Sequence, residues 1–399
     1  MTFVPAWHLF DNVMACAIPM RRLRRRLRRR LLHFRIRDFF EYRRFVRGDM
    51  RPNAVLLVET NDTHGEVLAE LLDYFRELGF AVDVLVNSEV LKERPFCRTD
   101  LRGVNMFSCY FGAFSWFFGT VRFSRYAHVA LMSSAGYRYI DGSDVASVVG
   151  RYGLLQKARS LLVVEHELRD VERFCEQGLL ASGRLLTLGR LARGVPVVPV
   201  SFGAASASSP GAATVPRRGA SSSFIVVGGI QRDRKNHAAL VEAVRSLLRV
   251  GLCPAVVVVG SGDLGMLPDD VRPCFEVTGR LDYPEMLARV EAAGFFLPLL
   301  DHANPAHERY VMTGVTGSAQ LIYAFAKVPV IEPRFAPFYG FSDENAIVTD
   351  DLAAGMAAAM RMSDADYGRR QAALQSLAQD LRAQSFENLR QALERGGPT

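Results

Sequence analysis

The chain has 399 residues, of which 49% are hydrophobic, 23% charged and 10% aromatic. That length fits two or three domains of ordinary size, and the composition excludes a disordered chain, a collagen-like fibre and a polytopic membrane protein. The formal charge of +7 is concentrated at one end: residues 1–50 hold 13 Arg, no Lys and four acids (Asp11, Asp38, Glu41, Asp49), so that stretch carries +9 and the remaining 349 residues −2.

The basic character therefore belongs to an N-terminal arm over 1–50 and says nothing about the body. Within 21–47 the pattern places Leu23, Leu27, Leu31, Phe34, Tyr42 and Phe45 near one helical face, with Arg around the rest. A basic amphipathic helix over Arg21–Arg47 suits an anionic membrane surface. A solvated helix and a nucleic-acid contact are the rival readings, and the −2 body argues against nucleic acid. The apolar opening precedes the Arg cluster, the reverse of a secretory signal, so the expected location is cytoplasmic and peripheral on the inner membrane face. Six cysteines without any C-x-x-C pairing predict free thiols, with neither a disulfide framework nor a zinc site.

From Asn53 the pattern alternates strands and helices. AVLLVE (54–59) reads as a buried strand, followed by the loop TNDTHGE, a helix over 67–80 and the strand AVDVLV (81–86). The chargeless, aromatic-rich stretch 103–121 contains Asn105, two Ser and three Gly, so it reads as buried or as an aromatic patch and not as a membrane span. Further apolar strands are expected at 127–132, 160–165, 184–188 and 196–200. Residues 201–223 are a Ser/Ala/Gly/Pro stretch and read as a linker. The alternation then restarts: strand 224–229, helix 236–249, strands 254–260 and 275–279, helix 283–292, strand 294–300, helix 318–326, strand 328–332 and closing helices over 350–361 and 364–395. The fold class is α/β: two doubly wound Rossmann-like domains, 51–200 and 224–399, with a cleft between them and an Arg-rich N-terminal helix.

Candidate chemistry follows from where the loops fall. FIVVGG ends in Gly228 and Gly229, which let a phosphate approach backbone N–H groups, and Arg234 and Lys235 add positive charge. VVVVGSG repeats the arrangement at Gly260. Thr313, Gly314, Thr316, Gly317 and Ser318 precede a helix; three hydroxyls and two glycines exceed what capping needs, so this helix start reads as a diphosphate site. In the first domain Thr63, His64 and Glu66 follow the first strand, and His64 has the near-neutral pKa that a base for an acceptor hydroxyl requires. His166, between Glu165 and Glu167, follows another strand of the same sheet. His302 and His307 flank the loop before Glu308, and the spacing of histidines and carboxylates makes no metal cluster.

The ordered set VGG…RKN, VGSG, VTGRLDY, LPLL, HER, TGS and AKVPVIE resembles the nucleotide-sugar domain of GT-B glycosyltransferases, especially the family-4-like group, over roughly 224–360. The resemblance implies a nucleotide-sugar donor in the second domain, a saccharide or lipid-linked acceptor in the first, and no metal or other cofactor. Lys235 matches the family's donor-phosphate Lys, and Glu308 fits the first Glu of its E-x7-E pattern, near sugar or ribose. Gly229 stands where the family usually has Arg, so Arg232 or Arg234 would substitute, and the second Glu is absent, with Thr316 at the counted position. These departures keep open a non-catalytic binding protein of the same fold. A nucleotide-sugar epimerase would need paired carboxylates around one sugar, which the sequence does not place.

Overall fold

The computed structural model describes residues 35–49, 51–62, 65–132, 145–168, 184–191, 193–201, 222–229, 235–262 and 267–395. The linker expected at 201–223 lies outside these residues except at its ends, as do Leu23, Leu27, Leu31 and Phe34.

Helix α1 (Ile36–Arg47) opens the described chain. The first sheet follows with β1 (Ala54–Glu59), helix α2 (Gly65–Glu77), β2 (Ala81–Asn87), β3 (Asn105–Cys109), β4 (His128–Met132), β5 (Leu161–Glu165), β6 (Leu185–Thr187) and β7 (Val195–Pro196). Its strand order is β3-β2-β1-β4-β5-β6-β7, parallel at every pairing. The second sheet contains β8 (Ser223–Val227), helix α3 (His237–Arg249), β9 (Ala255–Val259), β10 (Phe275–Gly279), helix α4 (Tyr283–Ala292), β11 (Phe295–Phe296), helix α5 (Gly317–Phe325), β12 (Val328–Ile331) and β13 (Ile347–Val348). Its order is β10-β9-β8-β11-β12-β13, again all parallel. Both sheets reverse direction beside their first strand, which opens a crevice at the carboxyl ends of β1/β4 and of β8/β11. Helices α6 (Leu352–Arg361) and α7 (Asp364–Arg395) close the chain.

The first sheet has a core on each face. One contains Phe45 of α1, Phe107 of β3, and Phe114, Phe117 and Phe118 from the chargeless stretch. That stretch is thus a buried aromatic cluster, and among the described residues no helix is long and apolar enough to cross a membrane. Phe45 sits at its centre, with ring centroids 5.1 Å from both Phe107 and Phe117. Asp38 of α1 is buried beside it and accepts from the Tyr110 backbone N–H at 3.1 Å. Residues 36–47, which the sequence groups with the arm, are therefore built into the first domain, because Phe45 finds its apolar partners on β3 and the helix that follows.

Helix α7 also crosses the expected boundary. Tyr367, Leu374 and Leu381 belong to the second-domain core, whereas Leu389, Ala392 and Leu393 belong to the first. Ser385 Oγ accepts from the Val198 N–H at 2.9 Å, and Asn388 Nδ2 donates to the Pro196 carbonyl at 2.8 Å. A 32-residue helix is about 48 Å long, enough to pin both domains. Leu389 is fully buried. Leu389→Ala is accordingly expected to destabilise the protein by about 3 kcal/mol through lost burial and a residual cavity, as read by urea unfolding.

Candidate functional site at the facing carboxyl edges

The loops that leave the carboxyl ends of the two sheets meet one another. After β1, Glu66 accepts a hydrogen bond from the Tyr283 hydroxyl at the start of α4. After β2, Arg94 pairs with Asp282 and Glu93 with Arg280; Arg98 reaches Glu291 at 2.6 Å. After β5, residues 166–168 run antiparallel to 313–315: the Leu168 N–H donates to the Thr313 carbonyl at 2.6 Å and the Val315 N–H to the His166 carbonyl at 3.2 Å, with a bridge between Glu167 and Gly314. The crevice between the sheets is thus laced on two sides.

On the second-domain side the candidate residues converge. Lys235 is 9% exposed, and its Nζ donates to the Pro298 carbonyl at 2.8 Å and to Ser318 Oγ at 3.1 Å. Burial pushes its ammonium pKa down to about 8. Gly228 (φ +127°) is left-handed, and a Cβ there would lie 2.8 Å from Lys235 Cε. A Cβ on Gly260 would stand 2.5 Å from the backbone of Gly228 and Gly229. The two glycine turns therefore touch backbone to backbone, and Lys235 threads beneath them to the N-terminus of α5. His237 steadies the same turn, its Nε2 3.2 Å from the Gly229 carbonyl, and burial lowers its pKa.

At that helix start Thr316 is the N-cap, its Oγ1 accepting from the Ser318 N–H at 3.3 Å. Capping consumes one hydroxyl; Ser318 is engaged by Lys235. Gly317 faces open space, with no heavy atom within 4 Å of an added Cβ. The Gly317 N–H, the positive end of the helix dipole and a buried ammonium therefore lie together at this helix start. A groove of about 470 Å³ in the second domain is lined among others by Asn236, Leu299, Asp301, His302, Glu332 and Asp351, and not by the glycine turns, Lys235 or the start of α5.

Other candidates fall elsewhere. Arg234, Arg232 and His64 lie outside the described residues. Glu308 is exposed and pairs with Arg334 at 3.1 Å. Thr313 serves the interdomain seam through its carbonyl, and Glu66 is engaged by Tyr283. His166 is half-buried beside the segment that leads into α5. His307 is fully buried, its Nδ1 accepting from the Asp301 N–H at 2.9 Å. The sequence spacing shows no metal cluster, but the fold brings Glu332 to Asp301 and His302, with donor atoms within 4.8 Å of one another. The grouping is accounted for by His302, whose N–H and Nδ1 both meet Glu332 Oε2, at 2.9 and 2.8 Å.

The first-domain edge holds residues the sequence reading passed over. Glu59, Thr60 and Asn61 form a buried polar run where β1 ends. Glu59 Oε1 accepts from the Asn61 N–H at 2.8 Å. Burial, reinforced by the nearby Glu66 and Glu165, holds the Glu59 carboxyl well above the usual carboxylate range. Among the described residues Glu59 Oε2, Thr60 Oγ1 and Asn61 Nδ2 lack hydrogen-bond partners. The available signal was a Glu ending an otherwise apolar strand at a carboxyl edge.

No protein-family model matches the sequence, and no curated protein matches it. Solved structures with a similar fold include AviGT4, a glycosyltransferase involved in avilamycin A biosynthesis, at 15% identity and TM-score 0.47 over 86% of this chain and 98% of that one. The spinosyn forosaminyltransferase SpnP is similar at 12% identity and TM-score 0.47 over 86% of this chain and all of that one. The lipopolysaccharide outer core galactosyltransferase WaaB in its apo form is similar at 10% identity and TM-score 0.44 over 86% and 99%. Each is a likeness of fold: two doubly wound α/β domains.

Proposed function

We propose that the protein is a GT-B-type glycosyltransferase that moves a sugar from a nucleotide-diphosphate donor on the second domain to a hydroxyl of a saccharide or lipid-linked acceptor on the first. The observation that carries this reading is Lys235, a buried ammonium between two touching glycine turns and the open N-terminus of α5. Its present partners are a carbonyl and a hydroxyl, both neutral, so an anion is what the site lacks. A diphosphate supplies it and also accepts from the Gly317 N–H at the helix start.

The chemistry follows from charge. As the sugar–phosphate bond breaks, negative charge grows on the departing diphosphate, and Lys235 with the helix dipole stabilises it, so the charge balance calls for no metal. The acceptor hydroxyl must lose its proton on the opposite side of the crevice. His64 is the base this reading assigns, with His166 and Glu66 at the same sheet edge. The cross-crevice pairs Arg94–Asp282 and Glu93–Arg280 favour a closed site that keeps water from the donor. The Arg-rich arm would hold the enzyme at an anionic membrane where lipid-linked acceptors reside.

The test is a thermal-shift and calorimetric titration of the full chain with the common nucleoside diphosphates, followed by transfer assays with sugars of the nucleotide that binds. One nucleotide is expected to stabilise the protein by about 3 kcal/mol at a hundredfold excess over Kd. Folded protein that responds to none of them overturns the reading.

A further inference from the structure

Seven large hydrophobic side chains stand exposed among the described residues, and four of them, Ile36, Phe39, Phe40 and Val46, lie on α1. Phe39 is 48% and Phe40 61% exposed. At about 100° per residue, the inner face of α1 carries Asp38, Tyr42 and Phe45. The outer face presents Ile36, Phe40, Arg43 and Arg47, flanked by Phe39 and Val46 on one side and Arg37 and Arg44 on the other. The helix has two acids and neither interrupts that face: Asp38 is buried, and Glu41 is tied to Arg44 at 2.6 Å. Arg43 stands over the Phe39 ring at 5.7 Å. In sequence the helix continues a stretch, 21–30, that holds eight Arg.

We infer that the outer face of α1 is a membrane-docking surface that inserts Phe39 and Phe40 into an anionic lipid bilayer, with Arg37, Arg43 and Arg47 at the level of the lipid phosphates. Apolar and cationic side chains without acid on one convex helix face match an interface that is apolar below and anionic above. A second copy of the chain would set arginine against arginine, and a nucleic acid would meet the arginines without covering Ile36 and Val46. The helix lies along β3, the edge strand of the first sheet, and starts where that strand ends: Arg35 stacks on Tyr110 at 4.3 Å. Docking thus places the carboxyl edge of the first sheet next to lipid. The docking itself stands apart from the glycosyl-transfer reading; where both hold, the acceptor is lipid-linked and enters the crevice from the bilayer.

The test is co-sedimentation of the full chain with vesicles of phosphatidylglycerol and phosphatidylcholine, against vesicles of phosphatidylcholine alone, for the wild type, F39S/F40S and R43Q/R47Q. All four positions are exposed, so the nucleotide-free melting temperature is expected to hold in both variants. The wild type is expected to bind the anionic vesicles, F39S/F40S to bind them about tenfold or more weakly, and R43Q/R47Q to bind less and with a shallower salt dependence. The inference is overturned if F39S/F40S binds like the wild type, which would assign binding to the arm alone. It is equally overturned by indifference to anionic lipid, by no vesicle binding, or by self-association that the Phe substitutions remove. Vesicle binding without any nucleotide response would sink the glycosyl-transfer reading and leave the docking surface standing.

Discussion

Lys235→Ala is expected to abolish nucleotide-dependent stabilisation and to lower transfer by two to three orders of magnitude, roughly what loss of one buried charge-stabilising donor costs. The variant is expected to fold, because it removes a buried charge whose present partners, Pro298 and Ser318, are neutral. The same residue sets a pH dependence. Burial lowers the Lys235 pKa from 10.5 to about 8, so between those values the unfolded chain holds more protons than the folded one. Free wild type therefore gains stability relative to Lys235→Met as pH rises through that window. Ligand binding runs the other way, since a diphosphate selects the ammonium. Nucleotide affinity is expected to fall by about tenfold per pH unit above pH 8 and to become flat, and weak, in Lys235→Met. Lys327, also lowered to about 8 by burial, shares the stability effect but donates to the Glu291 and Ala293 carbonyls, and it is cancelled by comparing the two proteins. Urea unfolding across pH reads the first and isothermal titration the second; an affinity that ignores Lys235 would remove the diphosphate from this site.

Gly260→Ala has the other large expected effect, on folding. Its Cβ would fall 2.5 Å from Gly228 C and Gly229 N, backbone atoms that cannot swing aside, in a sheet whose strands β8 and β9 are paired along five residues. A cost of about 3 kcal/mol is expected from this overpacking, read as a lower urea midpoint. Gly251→Ala is the control: φ is +78° with nothing within 4 Å, so only left-handed backbone strain of about 1 kcal/mol is added. Gly228→Ala separates binding from folding. Its Cβ meets Lys235 Cε at 2.8 Å, the mobile end of a side chain, so the lysine is displaced and nucleotide response is lost, while the stability cost is that of backbone strain at φ +127°, about 1–2 kcal/mol and below that of Gly260→Ala. Equal urea midpoints for Gly260→Ala and Gly251→Ala would show that the two turns do not touch.

Much of the site was legible because local rules write it. Gly228, Gly229, Gly260, Lys235 and Ser318 each follow a strand or open a helix, and strand-to-helix order in a parallel sheet sends all such loops to one edge. What the spacing left open is which residues meet. That Lys235 reaches Ser318, that Glu66 faces Tyr283, and that Glu308 turns to Arg334 depend on contacts spanning 83, 217 and 26 residues. No periodicity encodes such distances. The buried run Glu59, Thr60 and Asn61 was hidden for the same reason, since a polar residue at a strand end reads alike whether it is solvated or covered.

The sequence by itself determined the alternation of elements and their positions: β1 at 54–59, β10 at 275–279, α4 at 283–292 and α7 at 364–395 stand where the apolar periods placed them. Parallel sheets covered by helices on both faces followed, because short apolar strands between amphipathic helices bury both faces in that way. Tertiary structure decided the rest. The apolar run 294–300 is a strand only at Phe295–Phe296, since Pro298 has no N–H to pair and Leu299 turns to φ +54°. β3 and β13 exist because neighbouring strands offer them partners. Helix α1 joined the first domain through Phe45, and α7 joined both through Leu381 and Leu389. Local pattern tells a side chain to be buried; only the assembled chain supplies the surface that buries it.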